Sequence, residues 1–220
     1  MEAYLCGAPL RLGGSTGRKR KLLSHQAIIS KEFEEKHQTE LWEEYLKFFG
    51  LKESIDFTPF NISSSKPNIS HKVICLAPGS SNTPEKRWPI ANWVQLLTSL
   101  IEKLPDYEFR LIGTSNDAEI CSAILNSADS PNVYDYSGRT NLIELCDIFQ
   151  NSSVLLCNDS GAMHLGNSLA IPIVAIFGPT DATITGPVFI SPKVLLENSQ
   201  DESTAIYNLA LKSTLDLIKH

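Results

Sequence analysis

From residue 72 onward, short apolar runs alternate with longer stretches whose apolar positions recur at helical spacing. The runs KVICLA (72–77), EFRLIG (108–113), NVYDYS (132–137), SVLLCN (153–158), PIVAIFG (172–178) and KVLLEN (193–198) read as strands. Their near-continuous apolarity fits a parallel sheet buried on both faces. Between them, residues 89–103 place Ile90, Trp93, Leu96, Leu97, Leu100 and Ile101 on one stripe behind Pro89, which suits a first helical turn. Residues 116–127 gather Ile120, Ala123 and Ile124 on one face, and residues 141–151 gather Leu142, Leu145, Ile148 and Phe149. A short small-residue helix is predicted at 160–169 and a closing one at 203–219. Strand and helix in alternation predict an α/β fold, a Rossmann-like parallel sheet with helices on both faces.

The start of the chain lacks this rhythm. Residues 31–50 (KEFEEKHQTELWEEYLKFFG) predict one amphipathic helix ended by Gly50, preceded by an irregular piece with short strand-like fragments. Residues 58–71 are polar, with several Ser and two Pro, and read as a linker. The expected organisation is therefore a partial N-terminal domain over 1–57, a linker over 58–71, and a complete parallel-sheet domain over 72–220.

Composition narrows the class. At 220 residues, with 42% hydrophobic and 20% charged positions, the chain can bury a sizeable core. No apolar run approaches the roughly 18–20 residues that span a bilayer, and the N-terminus has no signal-peptide layout. A net charge of −6 argues against a general nucleic-acid binder. The charge is uneven: residues 1–52 hold nine Lys/Arg against seven Asp/Glu, with RKRK at Arg18 to Lys21. That run is either a solvated loop or a cradle for an anionic partner. Five cysteines stand singly, without zinc-like spacing, and read as reduced, buried thiols of a cytosolic protein.

Chemistry is expected at the loops beyond the carboxyl ends of the strands, where open parallel sheets bind ligands. APGSSNTPEKRWP (77–89) supplies Ser80, Ser81, Lys86 and Arg87 just before a helix start, a setting that favours an anion but is not a Walker loop. In GTSND (113–117), Asp117 can accept from ribose hydroxyls or serve its own helix start. SGRTN (137–141) can meet a base edge through its backbone, or Asn141 can cap a helix. In NDSGAMH (158–164), Asp159 or Ser160 is placed to cap the next helix, and Gly161 lets a ligand approach its free N–H groups. His164 shares a helical face with Ser160, as a site residue or a packed core histidine. No G-x-S-x-G elbow is present, which argues against a hydrolase triad.

Three segments, APGSSNTPEKRWPIANW, LIGTSNDAE and YSGRTNLIELCDIFQNSSVLLCNDSGAMHLGNSLAIPIVAIFGPTD, resemble glycosyltransferase family nine, the lipopolysaccharide heptosyltransferases, in order and spacing. Within that family the segments look most like the heptosyltransferase II branch. The resemblance covers residues 72–187 well and residues 1–51 more weakly. It implies a GT-B arrangement of two Rossmann-like domains. It also implies transfer of heptose from ADP-heptose to the lipopolysaccharide inner core, with inversion and no cofactor or obligatory metal. It implies Ser80, Ser81 and Lys86 at the diphosphate, Asp117 on the ribose and Thr140 near the adenine. Asp159 would meet the heptose hydroxyls, with Ser160, Gly161 and His164 at the phosphate end. Lys86 would stabilise the departing ADP. The family's catalytic base is a carboxylate in the first strand–helix turn of the N-terminal domain, and this chain is expected to begin past it. The alternative function is a non-catalytic ADP-sugar-binding module; a nucleotide-sugar epimerase is disfavoured by the KRWP and NDSGAMH signatures. The basic run near Arg18 could face the acceptor's phosphates, which would put a cytoplasmic protein at the inner face of the membrane.

Overall fold

The computed structural model describes residues 5–14, 20–28, 35–62, 72–80, 83–197 and 203–219. The chain divides into two compact units, residues 1–56 with 183–185, and residues 57–182 with 186–220.

In the smaller unit, β1 (Leu12–Gly14) and β2 (His25–Ala27) pair in parallel, with Leu12 opposite His25. A single helix follows, α1 (Gln38–Phe48). It starts later than the predicted 31–50; residues 31–34 lie outside the described residues. His37 has extended backbone angles (φ −56°, ψ 139°), and its imidazole Nδ1 accepts the Thr39 N–H at 3.2 Å. That side-chain cap supplies an acceptor the first turn lacks, so the helix begins beyond it. Its end is as predicted. Gly50 takes φ +109°, Gly50 N–H donates to the Lys47 carbonyl and Leu51 N–H to that of Leu46, a Schellman closure.

The larger unit contains, in chain order, β3 (Val73–Ala77), α2 (Ile90–Lys103), β4 (Glu108–Leu111), α3 (Ala118–Ser127) and β5 (Val133–Asp135). Next come α4 (Leu142–Gln150), β6 (Val154–Asn158), α5 (Gly161–Ser168), β7 (Ile173–Phe177), α6 (Ala182–Thr185), β8 (Lys193–Glu197) and α7 (Ser203–Leu217), residues 183–185 of α6 being counted with the smaller unit. All six predicted strands form, and they make one parallel sheet in the order β5-β4-β3-β6-β7-β8. Alternate residues of each strand feed two cores. Ile74, Leu76, Val154, Leu156, Val174 and Ile176 meet Trp93, Leu96, Leu97 and Leu100 of α2 and Ile206 of α7 on one face. Cys75, Leu155, Cys157, Ile173 and Ala175 meet Phe149 of α4 and Met163 of α5 on the other. Both faces are covered, which is why the strands are apolar throughout. Pro89 sits one residue before α2, as its N-cap rather than in its first turn.

Residues 57–62, where the predicted linker begins, lie on the larger unit. Phe60 N–H donates to the Ser168 carbonyl at 2.9 Å, and the Phe57 and Phe60 rings pack edge-on against Phe189. Among the described residues, no helix is long and apolar enough to cross a membrane.

α5 closes like α1, with Ala170 N–H to the Asn167 carbonyl and Ile171 N–H to that of Gly166, yet its left-handed position (φ +62°) holds an exposed alanine. A Cβ there is strained, so Ala170→Gly should raise stability by about 1 kcal/mol in urea titration. Cys75, Cys121, Cys146 and Cys157 are buried and free, as predicted, whereas Cys6 is exposed. Burial pushes the Cys75 thiol up to about 11 and the Cys121 thiol to about 12. At pH 8 the thiolate needed for disulfide exchange is therefore scarce at the buried positions. Dithionitrobenzoate should titrate one fast thiol per native chain and all five after denaturation.

Candidate functional site

The strand order fixes where a ligand can sit. β3 is followed by neighbours on one side of the sheet and β6 by neighbours on the other, so the loops leaving their carboxyl ends diverge and open a crevice. A cavity of about 900 Å³ lies there, within the roughly 300–1,000 Å³ that encloses a small organic ligand. Four loops wall it: Gly79, Ser80, Thr83 and Lys86 after β3; Ile112 to Ser115 and Asp117 after β4; Gly138 and Thr140 after β5; Asp159, Ser160 and Gly161 after β6. The first turns of α4 and α5 add Leu142, Leu145, His164 and Leu165.

The structure thus brings Lys86, Asp159, Ser80, Asp117, Thr140, Ser160, Gly161 and His164 around one space. Ser81 lies outside the described residues. Leu142, predicted on the core stripe of its helix, is 64% exposed and lines the cavity instead. His164 is exposed rather than packed in the core.

Lys86 and Asp159 are joined. The Lys86 ammonium donates to Asp159 Oδ2 at 2.6 Å, and the same oxygen accepts from Thr180 Oγ1 at 2.8 Å. The Asp159 side chain is 4% exposed and that of Lys86 21%, so this pair is shielded from water and its attraction is stronger than on a surface. An ammonium has three donors, and the pair uses one of them. Because its carboxylate is turned to Lys86 and Thr180, Asp159 does not cap α5; the N-cap is Ser160, and it makes no side-chain capping bond either. Its hydroxyl is instead buried with no hydrogen-bond partner among the described residues. The start of α5 leaves the Gly161 and Ala162 amides without intrahelical acceptors, with about half a positive charge from the helix dipole. A Cβ added at Gly161 would meet nothing within 4 Å, so the space above that amide belongs to the cavity.

Asp117 takes the second of its two predicted roles, serving its own helix start. Its Oδ2 accepts from Thr114 N–H at 3.0 Å and Thr114 Oγ1 at 2.8 Å, a capping box that starts the turn into α3. Its Oδ1 is buried with no hydrogen-bond partner among the described residues and lies 3.6 Å from the Arg87 guanidinium. A buried acceptor of that kind on a cavity wall suits a hydroxyl donor. Asn141 caps α4 through a reciprocal pair with Glu144.

Arg87, from the same loop as Lys86, donates to the Ser80 carbonyl at 3.1 Å. Two contributors are not singled out from sequence: Thr180, which holds Asp159, and Asn158, fully buried between the first and fourth loops. Only Asn158 left a signal: a polar residue ending a run otherwise apolar on both faces must find partners inside the protein.

A family model described as glycosyltransferase family 9 (heptosyltransferase) matches residues 18–210. The chain belongs to glycosyltransferase family 9. Within this family it is 30% identical over 158 residues to lipopolysaccharide heptosyltransferase 2 of Salmonella typhimurium, covering 70% of this chain and 43% of that protein. Among solved structures, E. coli ADP-heptose lipopolysaccharide heptosyltransferase II superposes with a TM-score of 0.80 at 21% identity, over 99% of this chain and 72% of that one. E. coli heptosyltransferase WaaC, solved with ADP, gives 0.67 at 16% identity over 93% and 66%. The α/β, GT-B type fold is therefore shared with heptosyltransferases. The chain spans about half the length of the curated relatives it matches, 43% and 48% of the first two.

Proposed function

We propose that the chain binds ADP-heptose and acts in the transfer of heptose to the inner core of lipopolysaccharide, with inversion and without a metal or cofactor. The observation that carries this reading is the cavity at the sheet's switch point, where an ammonium, a helix start and a buried carboxylate oxygen converge. The pyrophosphate would lie between Lys86 and the Gly161 amide, with Ser80 and Ser160 as hydroxyl donors. The ribose would give a hydroxyl hydrogen bond to Asp117 Oδ1, and the adenine would rest by Thr140 and the apolar side chains of Leu142 and Leu145. Asp159, beside Lys86, would meet the heptose.

Inverting transfer needs the departing diphosphate stabilised as the glycosidic bond breaks. Charge and dipoles already aimed at that spot do so without reorganising, an effect of about 3–4 kcal/mol for one well-placed donor. The relatives' names support the sugar and the acceptor: they are lipopolysaccharide heptosyltransferases, and WaaC was solved with ADP. The proposed setting is the cytoplasm at the inner face of the membrane, because the acceptor is a lipid.

A second reading is a nucleotide-sugar-binding module without turnover. It is favoured by the gathering of every described candidate residue in the larger unit alone. Isothermal titration with ADP, paired with an ADP-release assay on ADP-heptose and acceptor, separates the two. ADP binding is expected under both readings, and ADP release in the presence of acceptor under the first alone. No binding would overturn both readings, and robust turnover would overturn the second.

A further inference from the structure

We infer that Asn158 is a positioning residue that fixes the loop bearing Ser80 and Lys86, and so sets the protein's preference for a nucleoside diphosphate over a nucleoside. The inference rests on the donor-site reading above and assigns a new residue to it.

Asn158 is the last residue of β6 and is fully buried. Its side-chain Nδ2 donates to the Pro78 carbonyl at 2.7 Å, with the Gly79 carbonyl at 3.5 Å. Its Oδ1 accepts the Trp88 N–H at 3.1 Å. Pro78 and Trp88 are the two ends of one loop, the loop that carries Ser80, Lys86 and Arg87. β3 and β6 pair up to Ala77 opposite Cys157, and there the backbone ladder stops. One residue later, the Asn158 amide supplies a donor to the departing end of the loop and an acceptor to the returning end, as a peptide group would. Trp88 is itself wedged edge-on against Trp93 of α2, at 5.3 Å between ring centroids, so the returning end is anchored to the core.

The next residue along is Asp159, which holds the Lys86 ammonium. Asn158 and Asp159 therefore grip the same loop by its two ends and by its lysine. The loop's own bonds are local: Lys86 N–H to the Thr83 carbonyl and Arg87 N–H to that of Pro84, inside one short turn. Among the described residues, those bonds shape the turn but do not tie its backbone to the sheet. Asn158 supplies a backbone tie at both ends, beside the side-chain pairs of Lys86 with Asp159 and Arg87 with Asp117. The ribose acceptor Asp117 takes both of its hydrogen bonds from Thr114, outside this loop, and meets the loop through the Arg87 guanidinium at 3.6 Å. Loosening Asn158 should then cost affinity far more at the phosphates than at the nucleoside end.

The test compares Kd for ADP and for adenosine by calorimetry in the full chain, in Asn158→Ser and in Asn158→Asp. The aspartate keeps the acceptor for Trp88 and loses the donor to Pro78. The unsubstituted chain should prefer ADP by tenfold or more. Either substitution should cut that preference at least fivefold while adenosine affinity stays within twofold, a split that general destabilisation would not produce. In a Lys86→Met background the Asn158 substitution should cost ADP affinity less than it does alone, because part of its effect runs through that lysine. A preference that survives in both variants overturns the positioning role alone. No preference in the unsubstituted chain overturns the donor-site reading and the positioning role with it. Where a variant does not fold, amide hydrogen exchange of the unsubstituted chain decides: a slow Trp88 amide, with residues 83–87 gaining protection on ADP addition, supports the tie, and a fast one overturns it.

Discussion

Lys86→Ala is expected to weaken ADP binding by about 10- to 100-fold, the loss of one charge-assisted contact of about 1.5–3 kcal/mol. It should leave adenosine affinity nearly unchanged. Two effects act together. The ammonium is removed from the phosphate end, and Asp159, a carboxylate only 4% exposed, loses the cation 2.6 Å from it. Thr180 still donates to it, but a hydroxyl carries no charge, so the carboxylate would repel the incoming diphosphate. Adding Asp159→Asn to Lys86→Ala should therefore recover part of the ADP affinity. Arg87→Ala should act differently and more weakly on ADP. Its guanidinium is tied to the Ser80 carbonyl and stands beside Asp117, so its loss should fall on adenosine and ADP alike. Calorimetry with the two ligands distinguishes these patterns. Equal ADP losses for Lys86→Ala and Arg87→Ala would remove Lys86 from the diphosphate.

Sequence alone made the sheet legible because burial on both faces leaves no room for polar residues along β3, β6 and β7. The loops were legible as sites because parallel strands place every one of their carboxyl ends on one rim. Pairing was not legible. Lys86 and Asp159 are 73 residues apart, Thr180 and Asp159 are 21 apart, and Asn158 reaches Pro78 across 80. A contact of that kind depends on strand order, and nothing local distinguishes β6 beside β3 from β6 at an edge. The start of α1 is not legible in the sequence for a local reason. KEFEEKHQ carries helical spacing and helix-favouring glutamates, but an imidazole can accept a backbone N–H two residues on and end the helix there. Leu142 departs from the stripe of its helix because the first turn of α4 overhangs the cavity rather than the core.

Gly79→Ala should damage the other half of the cavity and the fold with it. A Cβ on Gly79 would stand 2.3 Å from Asp117 Cγ. A long side chain would swing away from such a contact. Asp117 has only one rotatable bond before its carboxylate, and Thr114 holds Oδ2 by two hydrogen bonds. Moving it would break the capping box that starts the turn into α3, so the loop after β3 must move instead, against its tie to Asn158. Strain of this kind costs about 1–3 kcal/mol of stability. Adenosine and ADP affinity should fall together, by about tenfold for the loss of one buried hydrogen bond of roughly 1.4 kcal/mol. This contrasts with the ADP-selective loss expected at Lys86. Removing the obstructing atoms should remove the penalty: in an Asp117→Ala background, Gly79→Ala should cost little further stability in urea titration. A Gly79→Ala chain as stable as the unsubstituted one, binding adenosine as well, would mean that Asp117 Oδ1 does not face the nucleoside.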